Sequence, residues 1–124
     1  MKNNQKKFAS KRLMLKYKRK LKIREKISGD STRPRLSVVR SEKHISCQVI
    51  DDTIGKTIVS ASSFEAKEKH ARANKEVCYK VGQTIAKRCI EKKIDKLVFD
   101  RNGYLFHGRI SQLAKGIRDS GLSF

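Results

Sequence analysis

A chain of 124 residues with a formal charge of +19 has room for one domain and is far more basic than solubility alone requires. Charge of this sign and size points to a nucleic acid or an anionic membrane surface as partner, and says nothing about fold. No stretch approaches the roughly 20 apolar residues of a bilayer span, and the charged start lacks the apolar core of a secretory signal.

The charge is uneven. Residues 1–35 hold 14 Lys and Arg against Glu25 and Asp30, so this arm carries +12 and the rest of the chain +7. It is Lys-rich rather than Arg- and Ser-rich, unlike a transit peptide. Phe8, Leu13, Tyr17 and Leu21 include i, i+4 spacings, which predicts a thin apolar stripe on a helix over about Lys11–Lys26, with Ser10 as N-cap. A helix this basic repels itself. The arm, residues 1–35, is therefore expected to be disordered or partly helical when free and to order on binding. Gly29 and Pro34 end any helix, and Pro34 marks the boundary to a single globular domain over 36–124.

From there the period becomes two. Leu36–Arg40 reads as a first strand and Ser41-Glu42-Lys43 as a turn. His44–Asp51 alternates, with Ile45, Cys47 and Val49 on one side and Ser46 and Gln48 on the other. Asp51-Asp52-Thr53-Ile54-Gly55 reads as a hairpin turn, and Thr57–Ala61 as a third strand. Ser62-Ser63-Phe64-Glu65 offers a capping box for a short helical turn, with a loop over His70–Ala73. Asn74 caps a long helix to about Lys92, striped by Cys78, Val81, Ile85 and Cys89; Gly82 and Ala86 are expected to let it approach the sheet. Lys96–Asp100 is a fourth strand, and Arg109–Ser120 a last helix striped by Ile110, Leu113, Ala114 and Ile117. Gly121 is its expected C-terminal cap, with Leu122 and Phe124 folding back.

The order β-β-β-α-β-α, with a right-handed crossover through the long helix, predicts a mixed four-stranded sheet of order 3-2-1-4. This is an α/β, two-layer fold with both helices on the apolar face and the Ser/Gln/Thr face open. In that order, the turn Arg40–His44 and the loop Asp100–Arg109 share one end of the sheet.

Four readings compete for these residues. Cys47, Cys78 and Cys89 fall on apolar faces, without the close ligand pairs of a zinc site, so they read as core; with no CxxC, they fit a reducing compartment. Asp51, Asp52, Glu65 and Asp100 could be imagined as a two-metal nuclease centre, but they read instead as turn and ion-pair residues, with Asp100 holding Arg101 or Arg109. A membrane-surface role has only the thin stripe of the arm to work with. Nucleic-acid binding gathers the most: Arg101 and Arg109 as bidentate donors, Tyr104 as a stacking plane, Asn102 and His107 as hydrogen-bonding groups, with Gly103 and Gly108 permitting close backbone approach. No catalytic residue, metal ligand or cofactor is assigned.

Arg33-Pro34-Arg35-Leu36-Ser37-Val38, Arg40-Ser41, Lys43-His44-Ile45, Gln48-Val49-Ile50-Asp51-Asp52, Phe99–Tyr104, His107-Gly108-Arg109 and Gly121–Phe124 stand in an order that resembles the bacterial-type large-subunit ribosomal protein numbered eighteen. The resemblance covers about Ile27–Phe124; the arm matches only in being basic. It implies a non-catalytic, structural role in the large ribosomal subunit, as a monomer that binds 5S ribosomal RNA and helps attach it to 23S ribosomal RNA in the central protuberance. Neighbouring large-subunit proteins, among them the one numbered five, are the implied protein partners, and the cytoplasm (or a plastid) the implied location. RNA contacts would fall in the arm on Lys11, Arg12, Lys16, Lys18, Arg19, Lys20, Lys22 and Arg24. Beyond it they would fall on Arg33, Arg35, Arg40, Ser41, Lys43, His44 and Gln48, and in the last loop on Arg101, Asn102, Tyr104, His107 and Arg109. The chain departs from the family where aromatics are frequent and it has Val39 and Ser46, and where Tyr is frequent and it has Phe106. Lys93 replaces a frequent Gly at the end of the long helix, which is expected to end by another geometry.

Overall fold

The computed structural model describes residues 11–65 and 74–124. Its elements are α1 (Lys11–Lys26), β1 (Arg35–Arg40), β2 (Ile45–Asp51), β3 (Lys56–Ser62), a 3₁₀ turn (Ser63–Glu65), α2 (Lys75–Glu91), β4 (Val98–Asp100) and α3 (Arg109–Asp119). Phe8, Ser10 and His70 lie outside the described residues, as does the side chain of Arg24.

The four strands form one sheet of order β3-β2-β1-β4. β1 pairs antiparallel with β2, from Arg35↔Ile50 to Arg40↔Ile45, and parallel with β4 through Leu36↔Phe99. β2 pairs antiparallel with β3, with a register shift at Val49/Ile50. The alternation in β2 is the physical cause of its orientation: Ile45, Cys47 and Val49 are buried, Gln48 is exposed and Ser46 half-buried. The inward residues of the strands join one core with Cys78, Ile85 and Cys89 of α2 and Ile110, Leu113 and Ile117 of α3. The chain is thus an α/β protein with a mixed sheet, in the predicted strand order.

The glycines of the two long helices act differently from the expectation. A Cβ on Gly82 would sit 2.2 Å from the Leu113 carbonyl oxygen, and one on Gly116 2.2 Å from that of Tyr79. Gly82 therefore lets α2 approach α3, not the sheet. The two helices press backbone to backbone at reciprocal glycines.

Asn74 caps α2, its Oδ1 accepting from the Val77 N–H at 2.9 Å. The other end corrects a second expectation. Lys93 does not divert the helix into a new ending. It takes the left-handed conformation itself, φ 62°, with its N–H donating to Ile90 O and the Ile94 N–H to Cys89 O, both at 2.9 Å. That bond pair is the Schellman motif, here built on a lysine. Gly121 does cap α3 with φ 103°, and the chain then folds back, the Leu97 N–H donating to Ser123 O at 2.9 Å. β4 is shorter than predicted because Lys96 pairs with Ser123 of this returning tail rather than with β1.

Candidate nucleic-acid interface

The parallel pairing of β1 and β4 brings the carboxyl ends of both strands to one edge, so the turn after Arg40 and the loop after Asp100 must meet. They are tied together by hydrogen bonds. The Tyr104 hydroxyl accepts from the Arg40 N–H and donates to the Arg40 carbonyl, each at 3.0 Å. The Arg109 guanidinium donates to the carbonyls of Ser41 and Glu42, at 3.1 and 3.2 Å. The Arg101 guanidinium donates to the Tyr104 carbonyl at 2.8 Å, which closes the loop on itself. Asn102 takes a left-handed φ of 55°, and its N–H donates to Asp100 Oδ1 at 2.8 Å.

Helix α1 completes the site. It lies against the loop at Gly103, whose φ is +81° and where a Cβ would fall 2.4 Å from the Lys16 carbonyl oxygen. Two requirements coincide at that position, a left-handed backbone and a helix passing in contact, and glycine alone meets both. Arg19 Nε donates to the Gly103 carbonyl at 2.9 Å, and the Lys16 ammonium stands 3.6 Å above the centre of the Tyr104 ring. A cation in that position is held by about 0.5–2 kcal/mol. Burial works to raise the Tyr104 phenol, but the Lys16 ammonium and the Arg40 backbone outweigh it, and the net shift is downward.

Between α1, the end of β1 and the loop lies a cleft of about 690 Å³, walled by Arg12, Lys16, Arg19, Arg40, Tyr104 and His107, with Leu13, Leu15 and Leu105 at its sides. Its cations suit phosphate and its apolar walls suit sugar and base surface.

The structure therefore brings together Arg12, Lys16, Arg19, Arg40, Tyr104 and His107, and places Ser41, His44, Asn102, Arg101 and Arg109 in the two joined loops. Lys11, Lys18 and Lys22 are exposed along α1, Lys20 is half-buried beside Gly103, and Lys43 is exposed in the turn. Gln48 stands apart on the open sheet face, and Arg33 is exposed with its Nε 3.3 Å from the Leu97 carbonyl.

Arg35 is placed differently from its neighbours in sequence. It is 6% exposed, with Nε and Nη2 on the carboxylate of Asp52 at 2.9 and 3.0 Å and Nη1 on Asp100 at 2.8 Å. The expectation that Asp100 holds Arg101 or Arg109 is thus corrected: it holds Arg35, from a fully buried position. Asp52 is more than a turn residue, since it also accepts from the Gly29 N–H at 2.7 Å and so fastens the segment entering β1. Nothing in the spacing of residues 29, 35, 52 and 100 announces that they converge.

The remaining nuclease candidates are also occupied. Asp51 accepts from the Thr53 N–H at 3.0 Å, and Glu65 takes the Arg88 guanidinium at 2.8 and 3.1 Å instead of closing the expected capping box. The three cysteines are buried; burial pushes Cys47 up to about 12 and Cys78 and Cys89 up to about 11, as expected of core thiols. Among the described residues no helix is long and apolar enough to cross a membrane.

A mixed sheet presenting a basic, two-loop cleft at one edge, extended by a basic helix, defines the class: an α/β protein with one strongly cationic edge. The family model described as ribosomal L18 of archaea, bacteria, mitochondria and chloroplasts matches residues 10–124. The large ribosomal subunit protein uL18 of Lysinibacillus sphaericus is 54% identical over 107 residues, covering 86% of this chain and 90% of its own length. That of Sorangium cellulosum is 54% identical over 110 residues, 86% and 92% of the two chains, and that of Clostridium botulinum strain Langeland 51% identical over 107, 86% and 90%. The chain belongs to this L18 family, and is a structural constituent of the large ribosomal subunit.

Proposed function

We propose that this protein binds 5S ribosomal RNA and helps attach it to 23S ribosomal RNA in the central protuberance, without catalysis, as a monomer beside neighbouring large-subunit proteins such as the one numbered five. Its place of work is then the ribosome, in the cytoplasm or a plastid. The observation that carries this reading is the cleft between α1 and the two joined loops, where Arg12, Lys16 and Arg19 of α1, Arg40 of β1 and His107 of the last loop line one surface.

Exposed cations of the arm displace counterions from the RNA and supply long-range attraction. The cleft supplies shape, through Arg12, Lys16, Arg19, Arg40 and His107. Arg33, Lys43, Arg101, Asn102 and Arg109 extend the contact along the loops, and Gln48 along the open sheet face. Arg35 and Tyr104 serve this surface by positioning: one fixes the entry to β1, the other pins the end of β1 to the loop and to Lys16. The self-repulsion of so basic a helix makes α1 the element whose ordering RNA strengthens most.

Co-purification tests the proposal. Tagged protein recovered from cells under conditions that dissociate ribosomal subunits is expected to retain 5S ribosomal RNA in near-equimolar amount. Recovery of mixed RNA in proportion to its abundance would reject the assignment.

A further inference from the structure

A second, separate feature stands where the turn after Arg40 meets the end of β3. Phe64 is 61% exposed, more than any other aromatic among the described residues, yet it is not loosely held. The Phe64 N–H donates to Ser62 Oγ at 3.1 Å. On one side of it, Ser63 is buried and its Oγ accepts from the Ile45 N–H at 3.1 Å, which ties the turn to β2. On the other side, Glu65 is gripped by Arg88, which also donates to the Ser60 carbonyl at 2.6 Å. One face of the ring is covered by His44, stacked at 3.7 Å between centroids and 25° between planes. His44 is itself fixed: its N–H donates to Ser41 Oγ at 3.0 Å, and its Nδ1 lies 3.1 Å from Ser63 Oγ.

An aromatic ring braced on one face, anchored on both flanks and open to water is a surface prepared for stacking. Among the described residues, those that flank it in the chain and those that flank His44, namely Ser62, Ser63, Ser41 and Lys43, are polar or cationic. They provide no apolar rim of the kind that protein interfaces use to seal a buried aromatic. A nucleobase requires only one free ring face and tolerates a polar, cationic margin. We propose that the His44–Phe64 pair is a stacking platform for one unpaired base of the bound RNA, the base lying on the face of Phe64 turned away from His44, with Lys43 beside the phosphate. The platform is distinct from the cleft at α1 and adds a contact the cleft cannot make, because there the Tyr104 ring is covered by Lys16. The inference rests on the proposed binding of 5S ribosomal RNA.

The test compares wild-type protein, Phe64→Leu and Phe64→Trp on 5S ribosomal RNA at several salt concentrations, after thermal melts confirm that the three are equally folded. Loss of one stacked base is expected to weaken the Phe64→Leu complex about 5- to 100-fold, with the slope of log K against log salt unchanged, since stacking releases no counterions. Phe64→Trp is expected to bind as wild type. Its indole, the only one in the chain, is expected to be quenched on binding. Phe64→Leu binding within twofold of wild type, or an indole whose emission is unmoved by RNA, overturns the platform, and an effect confined to assembly with another protein would do so as well. Failure of the underlying reading looks different: the wild-type protein itself would then bind 5S ribosomal RNA no better than an unrelated RNA.

Discussion

Arg35 is one of 31 Lys and Arg residues, and in the sequence it is indistinguishable from Arg33 two positions earlier. Burial separates them. A guanidinium removed from water is tolerated only when its donors are met by charge, and Asp52 and Asp100 meet them from two other parts of the chain. The alternation of β1 says that residue 35 faces away from Leu36; it cannot say that the segment around Gly29 will cover that face. Asp100→Asn leaves the buried cation half paired, and is expected to cost about 3 kcal/mol in urea unfolding. Arg33→Ala, at an exposed site, is expected to stay within about 0.5 kcal/mol of wild type. Equal effects of the two would mean that the buried pair does not hold the fold. The cysteines were easier to read, because an apolar stripe already implied burial. With thiols pushed up to about 12 for Cys47 and about 11 for Cys78 and Cys89, all three are expected to resist a thiol-specific disulfide reagent at pH 8 until the protein is unfolded.

Elements of the fold were legible where one physical rule decided them. Alternation located β1 to β3, and the crossover through α2 fixed β4 beside β1. Contacts between elements were not legible, because they depend on which residue happens to oppose which. Gly82 opposes Leu113 of α3, and Gly103 opposes Lys16 of α1; in each case the sequence shows only that a glycine is present. Gly103→Ala adds a Cβ in the path of α1 and strains a left-handed backbone. Limited trypsin digestion is expected to cut this variant within α1 several times faster than wild type; unchanged cleavage would show that the helix does not depend on this contact. Lys93 gives the opposite case. Its departure from a frequent glycine was visible, but the reading that the helix must end differently failed, because the Schellman bonds and the burial of Ile94 outweigh the strain of one lysine at φ 62°. Lys93→Gly is therefore expected to raise stability by about 0.5–1 kcal/mol, the relieved strain less the greater chain entropy of glycine.

At the scale of the whole molecule, the parallel pairing of two strands that begin 63 positions apart in sequence sends both loops to the same edge. On the proposed reading, the basic arm adds range to an edge that supplies fit. These two contributions separate experimentally. Replacing Lys18 or Lys22 by Ala is expected to weaken binding to all RNAs alike and to lower the salt slope by about one for each phosphate left unneutralised. Replacing His107 by Ala, at the cleft wall, is expected to reduce discrimination between RNAs instead. On the proposed function, this edge selects one folded RNA rather than any polyanion. Titration of the protein with 5S ribosomal RNA and with an unrelated folded RNA of equal length, at a single salt concentration of about 0.15 M, addresses it directly. 5S ribosomal RNA is expected to bind tighter by roughly two orders of magnitude or more. Equal affinities for the two RNAs would contradict it.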